Sequence, residues 1–374
     1  MSVASRILIT GGAGFIGSHV ADALLARGYR VRVLDSLSEQ VHGGRHAFPD
    51  YLSGQVEAVQ GDVRDRDAVE RALHGVEAVF HFASMVGVGQ SMYQIEKYVD
   101  VNNRGTAVLL EALLARPVSK LVVASSMSVY GEGLYRDGSG HSCEPQPRSR
   151  EQLKAARWEL TDAQGSPLEP VATPESKTPM PESIYALSKY DQEKMCLLFG
   201  RSYNVPVTAL RFFNVYGERQ ALSNPYTGVL AIFASRIANR QAPMIFEDGA
   251  QQRDFVHVRD VARAFLAALD RPEADGEVFN IGSGEVRTVA EVAVLQARAM
   301  GRPDLEPEIT GKSRAGDIRH CIPDLAKAQG RLGWRAREDF ADGLAELAEW
   351  VGRQEAQDRV VEARRELELR GLVA

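Results

Sequence analysis

Between the apolar run RILIT (6–10) and an amphipathic stretch starting near residue 15 lies ITGGAGFIGSHV, which sets Gly11, Gly14 and Gly17 three residues apart. Glycines so spaced let the backbone turn tightly out of a strand and approach a pyrophosphate, which then sits on the N-terminus of the next helix. Alone, the array fits a glycine-rich structural turn as well. The context narrows it, because Asp35 closes the following apolar run, VRVLD, 24 residues after Gly11. A carboxylate there binds an adenosine ribose 2′-hydroxyl and repels a 2′-phosphate, which favours NAD over NADP. Phe15 and Ile16 belong to the same expected cofactor site. Asp62 and Val63, in GDVRD, end a third apolar run. There they either flank adenine, or Asp62 caps the helix that follows.

The rest of the chain continues the rhythm. Short apolar runs at 6–10, 31–35, 56–60, 77–82, 120–125 and 205–213 alternate with helical patterns near 15–27, 67–74, 103–115 and 185–203. That βαβα order predicts an α/β fold of Rossmann type, a doubly wound parallel sheet with helices on both faces. A chain of 374 residues exceeds one usual core. Residues 1–214 are expected to form the dinucleotide-binding domain. Residues 215–374, with helices near 227–240, 288–300 and 341–353, form a smaller C-terminal α/β substrate-binding lobe, from which about 251–280 return to the first domain. A proline-rich, poorly periodic stretch at 132–182 breaks the pattern and is expected to be a lid or mobile loop, the alternative being a surface excursion packed away from the site. Within it SREQLKAARWEL reads as one short helix with Ser149 and Gln152 spaced as a capping box, and Trp158 and Leu160 on its docking face. The charged C-terminal QEAQDRVVEARRELELRG reads as an amphipathic helix, a solvated end or subunit contact rather than a site.

Composition excludes several classes. With 44% hydrophobic and 25% charged residues and a net charge of −6, the chain has the usage of a soluble globular protein and no basic footprint for nucleic acid or membrane. No apolar run nears the roughly 18 residues of a membrane span, and no signal segment precedes Arg6, so a cytoplasmic location is expected. Cys143, Cys196 and Cys321 lie far apart. His141 with Cys143 makes only half a metal site, so no metal is expected.

Tyr185 and Lys189, in YALSK, share a helix face at i and i+4. A tyrosine at its reference pKa of about 10 is a poor base, but a neighbouring lysine and a cationic nicotinamide both stabilise the phenolate. With these residues in place the chain resembles the extended short-chain dehydrogenases/reductases, in the branch that modifies nucleotide sugars. Further matching segments are HFAS, with Phe82, Ala83 and Ser84 beside the nicotinamide ribose, and NNRGT, with Asn102 supporting the active-site helix within the cofactor site. RFFNVYG puts Asn214 at the sugar diphosphate. QQRDFVHVRDVA and RAGDIR supply Arg253, Arg314 and Asp317, the two arginines matching the family's pyrophosphate ligands. Forked guanidiniums suit such oxygens on chemical grounds too. His257 and Asp260 read as loop-orienting and capping residues, and His81 as a packed structural histidine.

The resemblance also assigns ASSMSVYG (124–131). It makes Ser126 the catalytic hydroxyl, sharing a proton with Tyr185, and places Ser128 in the substrate site. Related dehydratases carry an Asp-Glu pair where this chain has Met127 and Ser128, and neither residue supplies that acid or base. What remains is reversible oxidation at one sugar carbon, as in NAD-dependent 4-epimerases. The partner is then a nucleotide-diphosphate sugar, and a homodimer through helices 103–115 and 185–203 is implied. The long insertion resembles a branch assigned to dTDP-L-rhamnose 4-epimerases. UDP-glucose or UDP-glucuronate epimerisation, atypical dehydration or oxidation, and non-catalytic NAD sensing stay open as alternatives.

Overall fold

The structure, a computed structural model, describes residues 5–44 and 47–373. Seven strands form one parallel sheet: β1 (Arg6–Thr10), β2 (Arg30–Asp35), β3 (Glu57–Gln60), β4 (Ala78–His81), β5 (Lys120–Ser126), β6 (Val207–Phe212) and β7 (Val278–Ile281). Their order is β7-β6-β5-β4-β1-β2-β3, the doubly wound α/β arrangement expected from the alternating runs. Successive strand residues face opposite sides, so Ile7 and Ile9 enter one core layer and Leu8 the other. Except at the edge strand β3, which is mostly exposed, both faces are covered, which is why these strands read as apolar runs.

The longer helices are α1 (Phe15–Ala26), α2 (Gly105–Ala115), α3 (Ile184–Tyr203), α4 (Val229–Ala238), α5 (Val258–Asp270), α6 (Val289–Ala299), α7 (Phe340–Val351) and α8 (Val360–Leu369). Helices α1 and α5 cover one face of the sheet. On the other, α2 and α3 bury Leu109, Leu113, Cys196 and Phe199. Helices α4, α6 and α7 share a separate core through Leu230, Val292, Leu344 and Leu347. The chain reverses direction across the sheet between β1 and β4, opening a crevice at the strands' C-terminal ends. Gly11, Asp35 and Ser126 all sit at such ends.

Two segments differ from their expected form. In the insertion the helix covers only Arg150–Lys154, because Ala156 takes a left-handed conformation (φ 52°) that stops it. Ser149 accepts the Gln152 N–H, but the Gln152 amide donates to the Glu159 carbonyl instead of closing a capping box. Trp158 and Leu160 therefore lie outside the helix, and Leu160 buries against Tyr135 and Leu168. A three-stranded antiparallel sheet of Leu134–Arg136, Ser142–Cys143 and Glu169–Val171 organises the insertion. It docks on the 318–323 stretch through the Gly133 N–H to the His320 carbonyl (2.8 Å) and a bridge between Thr173 and Pro323. The second difference is the C-terminal helix, expected to be a solvated end or a subunit contact. In the structure α8 buries Ala363 and Leu367 against the protein, since its apolar residues recur at i and i+4 and find a cavity to line.

Candidate active site

Gly11 leaves β1 at φ 70°, a conformation that disfavours any Cβ. A Cβ there would also lie 2.8 Å from the Ala83 nitrogen and 3.1 Å from the Phe82 carbonyl carbon. The Phe82–Ala83 backbone thus runs directly beside the glycine loop. No side chain caps the amides of α1 after Gly14, so they face outward for an anion. The buried Asp35 carboxylate is fixed by N–H groups of Ala13 (3.0 Å) and Leu37 (2.9 Å). This cradle fits a dinucleotide: a side-chain-free loop for the pyrophosphate, and a carboxylate at the end of the next strand for a ribose.

Asp62 does not cap the following helix. That role belongs to Asp65, which accepts from Asp67 and Ala68. Asp62 instead holds the Arg64 guanidinium (2.6 Å) and accepts the Arg64 N–H, because a two-residue Asx turn satisfies it before the helix begins. Val63 is buried against Gly105.

At the end of β5 the three hydroxyls separate. Ser125 donates to Glu193 (2.7 Å), whose carboxylate also grips Arg211 at 2.7 and 2.9 Å. Ser126 accepts the Ser128 N–H (3.2 Å) and hydroxyl (2.9 Å). Helix α3 begins at a Ser183 cap, whose hydroxyl accepts the Ala186 N–H, and this sets Tyr185 in its first turn. The Tyr185 ring meets Tyr98 edge-on, with centroids 6.5 Å apart.

Burial pushes the Tyr185 phenol above its ordinary 10, while the neighbouring Ser126 hydroxyl pulls the other way. The expectation that Lys189 brings this pKa down is not met in the protein alone. Desolvation of the phenolate dominates, and the Lys189 ammonium donates to Gln192 (2.8 Å). Burial lowers Lys189 itself to about 8.

Gln192, which no motif flagged, links the lysine to the sheet. Its amide donates to Thr106 (2.8 Å), whose hydroxyl is 2.9 Å from His81, and His81 is 2.7 Å from Thr10. His81 is the packed histidine the sequence suggested, held near pKa 3 by burial and then by the Lys189 charge. The only signal for Gln192 was its place one turn beyond Lys189. Asn102 lies in a wide π-type turn, Val99–Arg104, a distortion that recurs at functional sites. Its amide donates to Ser188 (2.8 Å) on α3 and to the Met85 carbonyl, and its oxygen accepts the Met85 N–H. His257 accepts the Arg259 N–H at the start of α5, and Asp260 accepts the N–H groups of Arg337 and Glu338.

One cavity of about 450 Å³ brings together Ser126, Ser128, Tyr185, Asn214, Arg253 and Arg314. Asp317 also lines it and pairs with Arg314 at 2.8 Å. The Arg253 guanidinium is held by the carbonyls of Gln252, Ile318 and Arg319 at 2.6–2.8 Å. The Asn214 side-chain oxygen is buried with no hydrogen-bond partner among the described residues, which suits an acceptor reserved for a ligand. Glu182, Ser183 and, from α8, Arg364 and Leu367 complete the wall. Among the described residues of the 132–182 insertion only the last, Glu182, lines the cavity; the segment also reaches the site's surroundings through the 318–323 stretch and through Lys177, whose ammonium donates to the Tyr130 carbonyl (3.0 Å).

Fold and site together define a dinucleotide-binding α/β protein with a Ser/Tyr/Lys centre facing a cavity lined by arginines. A sequence model of the NAD dependent epimerase/dehydratase family matches residues 7–156 and 160–282, and the chain belongs to that family. It is 35% identical over 353 residues to the dTDP-L-rhamnose 4-epimerase of Burkholderia thailandensis, covering 93% of this chain and 95% of that one. The UDP-glucose 4-epimerase of Thermotoga maritima, solved with UDP-glucose, is 34% identical, with a TM-score of 0.74 over 92% of this chain and 98% of that one. The Thermus thermophilus UDP-glucose 4-epimerase, solved with NAD, is 31% identical, with a TM-score of 0.74 over 94% of this chain and all (100%) of that one.

Proposed function

We propose that this chain is an NAD-dependent nucleotide-sugar 4-epimerase whose substrate pair is dTDP-L-rhamnose and dTDP-6-deoxy-L-talose. The observation that carries the reading is the convergence of Ser126 and Tyr185 with Arg253 and Arg314 on one cavity, with Met127 and Ser128 where a dehydration acid and base would stand. Gly11, Gly14, Gly17 and Asp35 would hold NAD, which when bound supplies the hydride acceptor and donor. Tyr185 as phenolate takes the C4 hydroxyl proton, and Ser126 hydrogen-bonds that oxygen. Lys189, cationic below about 8, supplies positive charge one turn from Tyr185. Arg253, Arg314 and Asn214 anchor the diphosphate while the 4-keto sugar turns over, so that C4 would receive the hydride back on its other face and O4 recovers its proton from Tyr185. In this reading residues 1–214 mainly bind the dinucleotide and 215–374 mainly the sugar nucleotide.

Two features support a neutral deoxy sugar over a uronate. Glu182 in the wall opposes a substrate carboxylate, and Val86, Val88 and Met127 give an apolar lining near Ser126 and Tyr185. The test is incubation with UDP-, dTDP- and GDP-sugars and identification of products by NMR. C4 inversion of dTDP-L-rhamnose without net NADH is the expected result; loss of water or stoichiometric NADH would refute it.

Asp35 should make the protein discriminate against NADP by charge repulsion and a lost ribose hydrogen bond. NADP should bind at least roughly tenfold more weakly than NAD by calorimetry; equal affinities would contradict the assignment. A homodimer is supported by exposed apolar residues on adjoining helices, Ile95, Val99 and Leu114 on one run and Leu187, Leu198 and Tyr203 on α3. Sedimentation at micromolar concentration should give a dimer, and a monomer would count against it.

A further inference from the structure

The last segment of the chain is fastened on both sides of α8 to elements that form the cavity. Ahead of the helix, Asn239 donates to the Ala356 carbonyl (2.8 Å), the Gln357 N–H donates to Ser223 (3.0 Å), and Arg236 pairs with Asp358 at 3.1 Å in a mostly buried contact. After it, the Ala315 N–H donates to the Leu372 carbonyl (2.8 Å), and Arg314 bridges Val373 in antiparallel register. Lys312 and Glu368 pair alongside at 2.9 Å.

Between these fastenings Val360, Ala363, Arg364 and Leu367 line the cavity that holds Tyr185. Their i, i+3, i+4, i+7 spacing is one helix face; the other face carries the exposed Val361 and Leu369. A Cβ on Gly89 would lie 3.2 Å from Leu367 Cδ1 and 3.6 Å from Arg314 Cδ, so α8 rests directly on the start of the short helix Val88–Ser91. The next residue back, Val88, lies against Gly316 together with Ser183, the cap of the Tyr185 helix. The contacts thus run from α8 through Gly89, Val88 and Gly316 to the start of that helix. Arg364 Nη1 is 3.2 Å from the Met244 sulfur, and Arg314 lies over the Phe246 ring two residues further on, at 5.3 Å.

We infer that residues 354–373 are a C-terminal strap that completes the substrate site. Leu367 closes its wall, the clasp on Ala315 sets the position of Arg314, and Arg364 adds a third guanidinium on the side of Met244 and Phe246. The ligand class these groups recognise is a nucleoside diphosphate, whose phosphates carry the charge that guanidiniums bind. This rests on the function proposed above.

The test compares the full chain with one ending at Arg353 and with the full-length variants Leu367→Ala and Arg364→Ala. Bound NAD is measured by absorbance, UDP and dTDP affinity by calorimetry, and KM and kcat separately. The truncated chain should keep NAD but bind both nucleoside diphosphates about tenfold or more weakly, the loss expected for a charge-assisted contact and a lost wall. The point variants should move the same way, with KM rising more than kcat falls. Affinity within about twofold of the full chain in a truncated protein that still holds NAD overturns the strap. If truncation unfolds the protein, unchanged affinity in both point variants overturns it equally. A full-length chain that binds NAD but neither UDP nor dTDP instead sinks the functional reading, and the strap with it.

Discussion

Tyr185→Phe is expected to abolish turnover and leave NAD bound. The substitution removes one oxygen from a ring that still packs edge-on against Tyr98, so the helix and the cofactor cradle at Gly11 and Asp35 are untouched. What is lost is the proton acceptor at C4. Positioned acid–base groups contribute roughly 10²–10⁴-fold, and the loss should lie toward the top of that range. Ser126→Ala should fall lower in the same range, because the Tyr185 oxygen survives and only the neighbouring hydroxyl is gone. The pH dependence has a defined sign. Burial holds the phenol above 10 and disfavours the phenolate, so the acid limb of the wild-type profile should rise with pH as base forms. In Tyr185→Phe that limb should vanish. Turnover within tenfold of wild type by NMR, or an unchanged acid limb, would remove Tyr185 from the chemistry.

The sheet was legible because a parallel strand covered on both faces writes itself as an unbroken apolar run, and each of the six expected runs contains a strand. The glycine loop was legible for a related reason, since the Gly11 conformation and the Ala83 contact leave no room for another residue. Contacts between distant segments were not legible. Gln192 carries no motif, and its link from Lys189 to His81 exists only once α3 lies on the sheet. The C-terminal helix reads as charged and amphipathic, and only its three-dimensional partner, the 86–89 segment, reveals that Leu367 lines the cavity. Where the Lys189 ammonium points was not legible either, because i, i+4 spacing brings it to the face of Tyr185 but does not decide that it donates to Gln192.

The insertion offers the second large effect, through Arg319. This side chain is 1% exposed and binds Glu247 (3.1 Å), Asp248 (3.0 Å) and Glu159 of the insertion (3.1 Å). Arg148, also from the insertion, holds Glu247 from its other side at 2.8 Å. Burial raises the Glu247 pKa, and the two arginines oppose that shift, Arg148 more than Arg319. Arg319→Leu leaves the buried Glu247, still paired with Arg148, facing the half-exposed Glu159 and Asp248, and should destabilise the NAD-bound protein by about 1–3 kcal/mol. The defect should shrink toward acid. Losing the arginine raises the folded-state pKa of Glu247 further above its unfolded value, and such a group costs stability as pH rises through that interval. Urea unfolding near about pH 5 should therefore separate variant from wild type less than at about pH 8. The same change should reach the active site, because the Ile318 and Arg319 carbonyls hold the Arg253 guanidinium at 2.6 and 2.8 Å. KM for the nucleotide sugar should rise more than kcat falls, since Tyr185 and Ser126 sit on α3 and β5 and are not moved. Wild-type stability at both pH values would show that the insertion is merely attached at this network and does not brace it.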